Sequence, residues 1–282
     1  MSKKLNELEA PVTYQGGKSR IANKIWDIIK SRNELQHKEF YDLCCGSGSI
    51  SIQAINEKLP FIKINMIDFS VWGDFWESIG NNTFNLQHFQ DYIKSIPKEK
   101  ENIQKFLEDL SRKNPFNETP LSHVYCYLVL QAGSFGGKQI WLKEQTWKNN
   151  SFRSYWMPTE TSSRRSPVNP MMPMPETLFD RIKLVQDKMN GKVHGKNENI
   201  ENLEINLENA IIYIDPPYAK TTKYKNEFDI LKLVKRIKTN DNKIYVSEQM
   251  PLSHNSFLIS DNRAKGSISG GSKGVQEWLS EF

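Results

Sequence analysis

The first 70 residues switch between the apolar spacing of helices and that of strands. In the segment 18–31, four isoleucines follow a helical period, which predicts an amphipathic helix that begins after the pair Gly16-Gly17. Residues 39–43 then predict a buried strand, the glycine-containing turn 44–49 follows, and a second helix and a second strand (61–68) come next. This order, with the second strand ending in an acid, predicts the start of a doubly wound α/β sheet.

Further along the chain, the α/β pattern stops near residue 72 and resumes near residue 191. The residues in between predict helices and a long stretch rich in aromatic residues, serine, proline and methionine, which is typical of an inserted domain. The helices predicted there span 100–112, 120–132 and 176–189. The resumed pattern predicts strands at 192–194, 210–214 and 243–247, and helices at 227–238 and 275–279.

The fold class follows from these patterns and agrees with the composition. We expect an α/β domain formed by residues 1–72 and 191–282, with an inserted, largely helical domain at residues 73–190. The 282 residues are 38% hydrophobic and 25% charged, which is enough to bury a large core. Because we find neither an apolar run of about 18 residues nor a signal-peptide pattern, we expect a cytoplasmic protein without a membrane span.

Cysteine usage and charge narrow the function classes. Cys44, Cys45 and Cys126 lack paired C-x-x-C spacing, so we expect neither a disulfide framework nor a zinc site. The five histidines are scattered, and we expect no bound metal. A net charge of +5 is mild, but it suits a partner that carries phosphates if the positive side chains gather on one face.

Acids stand at the ends of three predicted strands: Asp42, Asp68 and Asp215. Ligands of open α/β sheets bind outside the carboxyl ends of the strands, so we expect these acids to open onto one crevice. The turn 46–48 lets a ligand approach the backbone, and an acid about twenty residues later suits the hydroxyls of a ribose. These features indicate a nucleoside site, although a lone G-x-G with an acid is also found as a plain structural turn.

The glycine turn lacks the third glycine of a dinucleotide-binding motif, and this narrows the choice of nucleoside ligand. Ser51 replaces the third glycine of a dinucleotide fingerprint, which disfavours a pyrophosphate ligand. A nucleoside that carries an amino acid, S-adenosylmethionine, fits better. Its methionine end would lie near Lys18 and the glycine turn, and its ribose near Asp68.

Three motifs occur in one order and carry a family resemblance. Residues 11–18 read PVTYQGGK, residues 42–48 read DLCCGSG, and residues 215–218 read DPPY. In this order, and separated by a long insertion, they resemble the Dam-like family of DNA adenine-N6 methyltransferases. The likeness covers roughly residues 10–72 and 190–282. The tetrapeptide alone also serves methyltransferases that act on cytosine N4, RNA or glutamine.

The resemblance implies a fold, a cofactor and a partner. It implies a sheet of the S-adenosylmethionine-dependent methyltransferase type, with residues 73–190 as the target-recognition domain that contacts double-stranded DNA. A restriction endonuclease of the same system is a further candidate partner. The cofactor residues that the resemblance implies are Tyr14, Gly16, Gly17, Lys18, Asp42, Cys44, Gly46, Gly48, Asp68 and Asp215. Where the family usually has phenylalanine this chain has Cys44, and Asn197 follows a strand after which the family tends to place an acid.

The chemistry of adenine methylation accounts for residues 215–218. The amino nitrogen of adenine is a poor nucleophile, so acceptors must take its hydrogens as the methyl group arrives. Asp215 supplies one acceptor and, by the resemblance, the Pro216 carbonyl supplies another. Pro216 and Pro217 form a rigid turn without amide hydrogens, and Tyr218 offers a ring on which the flipped base stacks.

The reaction type is direct displacement from the sulfonium to the nitrogen. Carbon methylation of cytosine would need a cysteine nucleophile after a proline, and no cysteine here follows a proline. The leading hypothesis is therefore an adenine-specific DNA methyltransferase. The alternatives are a cytosine-N4 or RNA amino methyltransferase, or a relative that binds DNA without activity.

Basic and aromatic residues alternate between residues 133 and 168. Basic residues meet phosphates, and aromatic rings can wedge or stack where a base has left the helix, so we expect DNA contact in this stretch. The alternative is that the rings form the core of the insertion and the charges a solvated face. The candidate DNA-binding residues are Lys138, Lys143, Lys148, Arg153, Arg164 and Arg165, and the interleaved rings are Trp141, Trp147, Phe152, Tyr155 and Trp156.

Overall fold

The structure is a computed structural model in which the chain divides into two compact units. The first unit consists of Met1–Gly17 and Ser70–Asn197, and the second of Lys18–Phe69 and Glu198–Phe282. The assignment of residues 73–190 to DNA recognition stays a prediction. The structure describes residues 7–32, 35, 39–116, 119–149, 151–157, 160–161, 171–203, 207–216, 229–262 and 275–282.

Helices and strands are numbered in chain order through the described residues. The helices are α1 (Ala22–Arg32), α2 (Ser49–Asn56), α3 (Val71–Gly80), α4 (Leu86–Ile93), α5 (Lys100–Arg112), α6 (Ser122–Gly133), α7 (Pro175–Met189) and α8 (Ile230–Ile237). The strands are β1 (Glu39–Leu43), β2 (Lys63–Asp68), β3 (Trp141–Lys143), β4 (Thr146–Lys148), β5 (Val193–Asn197), β6 (Ala210–Ile214), β7 (Lys243–Glu248), β8 (Ser256–Asn262) and β9 (Val275–Glu281).

The second unit contains a mixed, mainly parallel sheet. Its strands are hydrogen-bonded in the order β2-β1-β6-β7-β9-β8. β1 is parallel to β2 and β6, and β6 is parallel to β7, whereas β9 runs antiparallel between β7 and β8. Leu43 pairs with both Ile67 and Ile214, so the carboxyl ends of β1, β2 and β6 lie at one edge of the sheet. This arrangement confirms the predicted α/β fold class.

Burial on both faces explains why the central strand β6 is a continuous apolar run. Every residue of β6 is buried, and so are all but the first residue of β1 and of β7. On one face, Leu43, Ile212 and Val246 share a core with Leu233 of α8. Trp26 of α1 packs against Phe40, with ring centroids 4.9 Å apart, and is fully buried.

The sequence-based elements are mostly confirmed, with one clear error. The predicted helices at 18–31, 100–112, 120–132 and 176–189 correspond to α1, α5, α6 and α7, and the predicted strands correspond to β1, β2, β5, β6 and β7. The predicted helix at 275–279 is wrong, because these residues belong to β9. Pairing with β7 and β8, which are distant in sequence, supplies hydrogen bonds on both sides and outweighs the local pattern.

Close packing of α3 on β5 organises one side of the first unit. A Cβ atom on Gly195 would lie 2.0 Å from the backbone carbon of Trp76. A Cβ atom on Gly80 would lie 2.5 Å from the carbonyl oxygen of Val193. Only glycine permits such an approach of helix and strand at these two positions.

The centre of the first unit is α6, which is buried almost along its whole length. Its Tyr127 ring stacks on the Trp147 ring of β4, with centroids 5.9 Å apart. β3 and β4 form a hairpin whose turn residues, Glu144 and Gln145, both have positive φ. No helix in the described part of the chain is long and apolar enough to cross a membrane.

Candidate active site

The turn after β1 takes a conformation that requires left-handed backbone. Cys44, Gly46 and Gly48 have φ values of 60°, 49° and 75°. Gly48 is the N-cap residue of α2, and its amide donates to the carbonyl of Cys45 at 2.8 Å. Glycine adopts this region without steric penalty, which explains both glycines of the turn. The turn thus connects the end of β1 to the start of α2 within a few residues.

Asp68 holds the turn from the neighbouring strand. The Gly46 amide donates to Asp68 Oδ2 at 2.8 Å, and the Cys45 amide donates to the carbonyl of Ile67 at 3.2 Å. The predicted association between the glycine turn and the acid of the next strand is therefore present in the structure. Its contact with a ribose stays a prediction.

Asp42 lies under the turn and is almost inaccessible, with 1% of its surface exposed. Its Oδ2 accepts hydrogen bonds from Ser51 Oγ at 2.7 Å and from the Ser51 amide at 3.2 Å. Burial raises the pKa of Asp42 to about 7, and the charges of Asp215 and Asp68 add to the rise, while the Ser51 hydrogen bonds oppose it. The position suits a group that ties β1 to α2. The predicted cofactor contact of Asp42 is untested.

A lysine and two carboxylates meet at the next strand end. Lys18 Nζ lies 2.7 Å from both carboxylate oxygens of Asp215, and 3.5 Å from Glu277 Oε1. Only 6% of Lys18 and 8% of Glu277 are exposed. Burial raises the pKa of Asp215, and the nearby Lys18 ammonium opposes that rise. Lys18 therefore contacts Asp215, the residue predicted to accept the adenine amino hydrogens.

Sequence reasoning missed Glu277. The predicted helix at 275–279 gave that glutamate no defined partner, whereas β9 brings it to Lys18. The only signal in the sequence was an acid within a run that contains valine, tryptophan and leucine, and such a run suits a strand as well as a helix.

The backbone fixes where Asp215 stands. Its amide donates to the carbonyl of Leu43 at 3.2 Å, so the residue continues the β6 ladder one position beyond the strand. Ser19 Oγ lies 3.0 Å from Ser49 Oγ, which holds the segment with Lys18 beside the start of α2. Pro216 is buried. The predicted catalytic residues Pro217 and Tyr218 lie outside the described residues.

The potential of this region is negative. Within the described second unit, Lys18 is the only lysine or arginine that is buried. It contacts Asp215 and Glu277, and Asp42 and Asp68 are further buried or half-buried carboxylates of the same unit. Burial raises the pKa of the Tyr213 hydroxyl far above its ordinary value, and the charges of Asp215, Glu277 and Asp42 contribute. A cation is therefore favoured over an anion in this region.

The thiols beside the turn are held neutral. Burial raises the pKa values of Cys44 and Cys45 well above the ordinary thiol value, and nearby carboxylates add to the effect. Both cysteines are free thiols. A neutral thiol is a weak nucleophile, which suits direct transfer without a covalent enzyme intermediate. Within the described ranges, no three or more His, Cys, Asp or Glu side chains form a group that could hold a metal.

Other predicted cofactor residues belong to the first unit. The Gly17 amide donates to the Tyr14 carbonyl at 3.2 Å, and the Tyr14 ring meets Trp72 edge-on at 5.7 Å. Gly16 has a φ of 94°. Asn197 Nδ2 donates to Asp74 Oδ1 at 2.8 Å. The roles predicted for Tyr14, Gly16 and Gly17 in cofactor binding stay predictions.

The candidate DNA-binding residues of the first unit fall into three groups. Lys138 and Lys143 are exposed, and Lys148 is half-buried. Arg153 is buried, and burial lowers its pKa. Arg164 and Arg165 lie outside the described residues.

Most aromatic residues of the stretch 133–168 favour the alternative interpretation, in which the rings form the core of the insertion. Trp147, Phe152 and Tyr155 are buried in the first unit, as expected for rings that form its own core. Trp156 is exposed and Trp141 is half-buried. The predicted contact with DNA would therefore rest on the basic side chains more than on the rings.

Comparison with known proteins shows a similarity to one enzyme family. Residues 14–139 match the family model of the D12 class N6 adenine-specific DNA methyltransferases. No curated protein sequence matches the chain significantly. Among solved structures, the rRNA methyltransferase aviRa from Streptomyces viridochromogenes matches 99% of this chain and 90% of its own, with a TM-score of 0.37 and 10% identity.

The family match bears directly on the sequence-based hypothesis. It includes Lys18, the turn after β1 and Asp68, and it ends before Asp215. The predicted resemblance and the predicted activity, adenine-N6 methylation of DNA, are confirmed by this match. Residues 14–139, a little under half of the chain, are thus similar to the D12 class of N6 adenine-specific DNA methyltransferases.

Proposed function

We propose that the chain transfers a methyl group from S-adenosylmethionine to the N6 amino group of an adenine extruded from double-stranded DNA, with Asp215 as the acceptor. The observation that carries this proposal is the position of Asp215. It stands at the carboxyl end of β6, with both of its carboxylate oxygens facing the Lys18 ammonium. Open α/β sheets bind their ligands at this edge, outside the carboxyl ends of the strands, so the Asp215 carboxylate is placed to contact a ligand.

The charge of the second unit suits this methyl donor. S-adenosylmethionine carries a sulfonium, an ammonium and a carboxylate, so its net charge is positive. The carboxylates of Asp68, Asp215 and Glu277 exceed the single buried ammonium of Lys18 among the described residues of this unit. The turn 46–48 gives the donor access to backbone, and Gly46 fixes the Asp68 carboxylate, which pairs with ribose hydroxyls.

Asp215 has the properties of an acceptor for the adenine amino hydrogens. As the nitrogen–carbon bond forms and the sulfur–carbon bond breaks, the amino group must lose one proton. Burial raises the pKa of Asp215, which strengthens it as a proton acceptor relative to an ordinary aspartate. A second acceptor, the Pro216 carbonyl, and the stacking of the base on Tyr218 complete the proposal.

Extrusion of the base brings the amino group to this acceptor. An adenine inside a duplex cannot reach a buried carboxylate, and flipping costs a few kcal/mol. Stacking on an aromatic ring returns about 1–3 kcal/mol of that cost.

The first unit supplies the proposed contact with DNA. Lys138 and Lys143 are exposed and lie near and on the β3–β4 hairpin, and Lys148 ends it. Ammonium groups at such positions meet phosphates and hold the duplex without reading its sequence. We leave Arg153 out of this set, because its guanidinium is buried.

A methylation assay tests the proposal. The protein is incubated with labelled S-adenosylmethionine and plasmid DNA, and the nucleosides are then separated. We expect N6-methyladenine from the wild type and none above background from Asp215→Asn. Asp229→Asn serves as the matched control, because Asp229 caps α8 at the exposed surface of the same unit.

Three outcomes contradict the proposal. Label in N4-methylcytosine would reassign the substrate, and label in RNA alone would reassign the nucleic acid. Equal turnover by wild type and Asp215→Asn would remove Asp215 from the reaction.

A further inference from the structure

We propose that Glu277 is a positioning residue that takes over the Lys18 ammonium when Asp215 turns to the adenine amino group. The inference rests on the proposed function, since it assumes that Asp215 is the acceptor. It adds a residue that lies outside the family match and outside the three sequence motifs. The proposed reaction needs an acceptor at Asp215, and Glu277 would determine when that acceptor becomes available.

The distances show an unequal sharing of one ammonium. Lys18 Nζ donates to both oxygens of Asp215 at 2.7 Å, and Glu277 Oε1 lies 3.5 Å away. An ammonium has three hydrogens and a flexible four-carbon stem. A small movement of Lys18 Nζ toward β9 therefore converts the weaker contact into a full hydrogen bond and loosens the contact with Asp215.

The reaction is favoured by such a movement. In the arrangement seen here, both carboxylate oxygens of Asp215 accept from Lys18, whose charge opposes the rise in the pKa of Asp215, so a shift of Lys18 would make Asp215 a stronger acceptor for an amino hydrogen. If Lys18 had no other partner, leaving Asp215 would strand a buried ammonium, which is strongly unfavourable. Glu277 offers a second carboxylate at the same place, so the exchange of partners keeps Lys18 paired throughout.

The position of Glu277 is defined by the sheet. Glu277 pairs with Ser260 of β8 in a strand that is bonded on both sides, and only 8% of its surface is exposed. A carboxylate at such a position is costly unless a cation meets it. Lys18 is that cation among the described residues.

A purely structural role is the main alternative, and β9 contains a matched example of it. Glu281 is also 8% exposed, lies four residues after Glu277 on the same face, and pairs with Arg32 at 2.9 Å. Arg32 ends α1, whereas Lys18 precedes it. Both glutamates thus hold cations at the two ends of α1, but only the Lys18 pair also includes Asp215.

The two glutamates of β9 can be compared in one experiment. Glu277→Gln and Glu281→Gln each remove one buried negative charge from β9 without a large change in shape. Single-turnover rates with enzyme in excess, KM for S-adenosylmethionine, DNA affinity and the urea midpoint are measured for both. We expect about a tenfold or greater loss of rate in Glu277→Gln, with DNA affinity nearly unchanged and a smaller rise in KM for S-adenosylmethionine because one negative charge is lost, and a normal rate in Glu281→Gln.

Two further variants separate positioning from stability. Glu277→Asp keeps the charge and is expected to recover part of the rate. In a Lys18→Met background, Glu277→Gln is expected to cause no further loss of rate, because the residue acts through Lys18. A structural defect would instead add to the loss from Lys18→Met.

The outcomes distinguish this inference from the proposed function. A normal rate in Glu277→Gln, equal losses in Glu277→Gln and Glu281→Gln, or additive losses with Lys18→Met would each overturn the role of Glu277. If Asp215→Asn is inactive in the same assay, the proposed function survives that result. If Asp215→Asn is active, the proposed function itself fails.

Discussion

The strand ends of the second unit and the β3–β4 hairpin of the first unit differ in the burial of their charged side chains. At the strand ends of the second unit, Lys18, Asp42 and Glu277 are buried, and Lys18 and Asp42 are held by short hydrogen bonds. In the first unit, Lys138 and Lys143 are exposed, and aromatic rings fill the interior. Burial fixes the position of a charged group and strengthens its interactions with neighbouring charges. An exposed charged group is mobile, and salt screens its interactions. The second unit is therefore suited to chemistry, and the exposed lysines to a flexible polyanion.

The sharpest way to break this comparison is at Asp215, where we expect the largest effect. Asp215→Asn should lower kcat by about 10³-fold or more, because the acceptor for the amino hydrogens is lost. DNA affinity should stay close to that of the wild type, since no exposed lysine is changed. Rapid-quench turnover and DNA titration measure the two quantities. A matching fall in both would mean that the two functions are not separated.

A change in the aromatic core of the first unit should act on stability instead. Trp147 is fully buried against Tyr127, so Trp147→Ala should cost about 3–5 kcal/mol of unfolding free energy. Trp156→Ala, at an exposed position of the same stretch, should cost less than about 1 kcal/mol. Urea denaturation compares them. Equal costs would contradict the assignment of Trp147 to the core.

The buried charge of the second unit should appear as a pH dependence of stability. The pKa of Asp42 is about 7 in the folded protein and 3.8 as an ordinary value, so the folded state holds the proton more tightly than the unfolded chain. Its contribution to stability is therefore present at low pH and is lost as the pH rises toward 7. Asp42→Asn should lack this loss, which amounts to about 1–4 kcal/mol.

Thermal unfolding of both proteins between pH 5 and 8 checks this expectation. Asparagine keeps an oxygen that can accept from Ser51, so the hydrogen bonds that hold the turn are retained. Parallel curves for the two proteins would show that Asp42 is not the source of the pH dependence.

The smallest effect is expected at the exposed lysines of the first unit. Lys138→Gln combined with Lys143→Gln should weaken DNA binding only several-fold, and should reduce the slope of log affinity against log salt by about two. Lys105→Gln with Lys188→Gln removes the same charge from exposed positions of α5 and α7. An equal change of slope in this control pair would mean that net charge alone accounts for the effect.

Local patterns predicted the fold where the strands are buried on both faces. β6 is an uninterrupted apolar run, β1 is apolar apart from Glu39 and Asp42, and the residues that follow them, the glycine turn and Asp215, carry recognisable motifs. The sequence also contains the cap of α3, because Ser70 accepts a hydrogen bond from the Trp72 amide, but the prediction stopped before using it. Motif and periodicity together therefore placed most of the candidate site.

What was missed depends on contacts between distant residues. The local pattern of β9 suits a helix as well as a strand, and its state follows from pairing with β7 and β8. The β3–β4 hairpin was missed because Glu144 and Gln145 occupy left-handed positions where a sequence normally shows glycine or asparagine. Glu277 was missed because its position depends on the pairing of β9 and because its partner Lys18 lies far away in the chain.

The insertion of β9 between two earlier strands has a consequence for biosynthesis. While the ribosome has released β7 and β8 but not yet residues 275–281, these two strands lack the neighbour that joins them in the finished sheet. Each then presents an open edge to solvent or to a chaperone. Lys18 thus gains its second carboxylate, that of Glu277, only when β9 has joined the sheet.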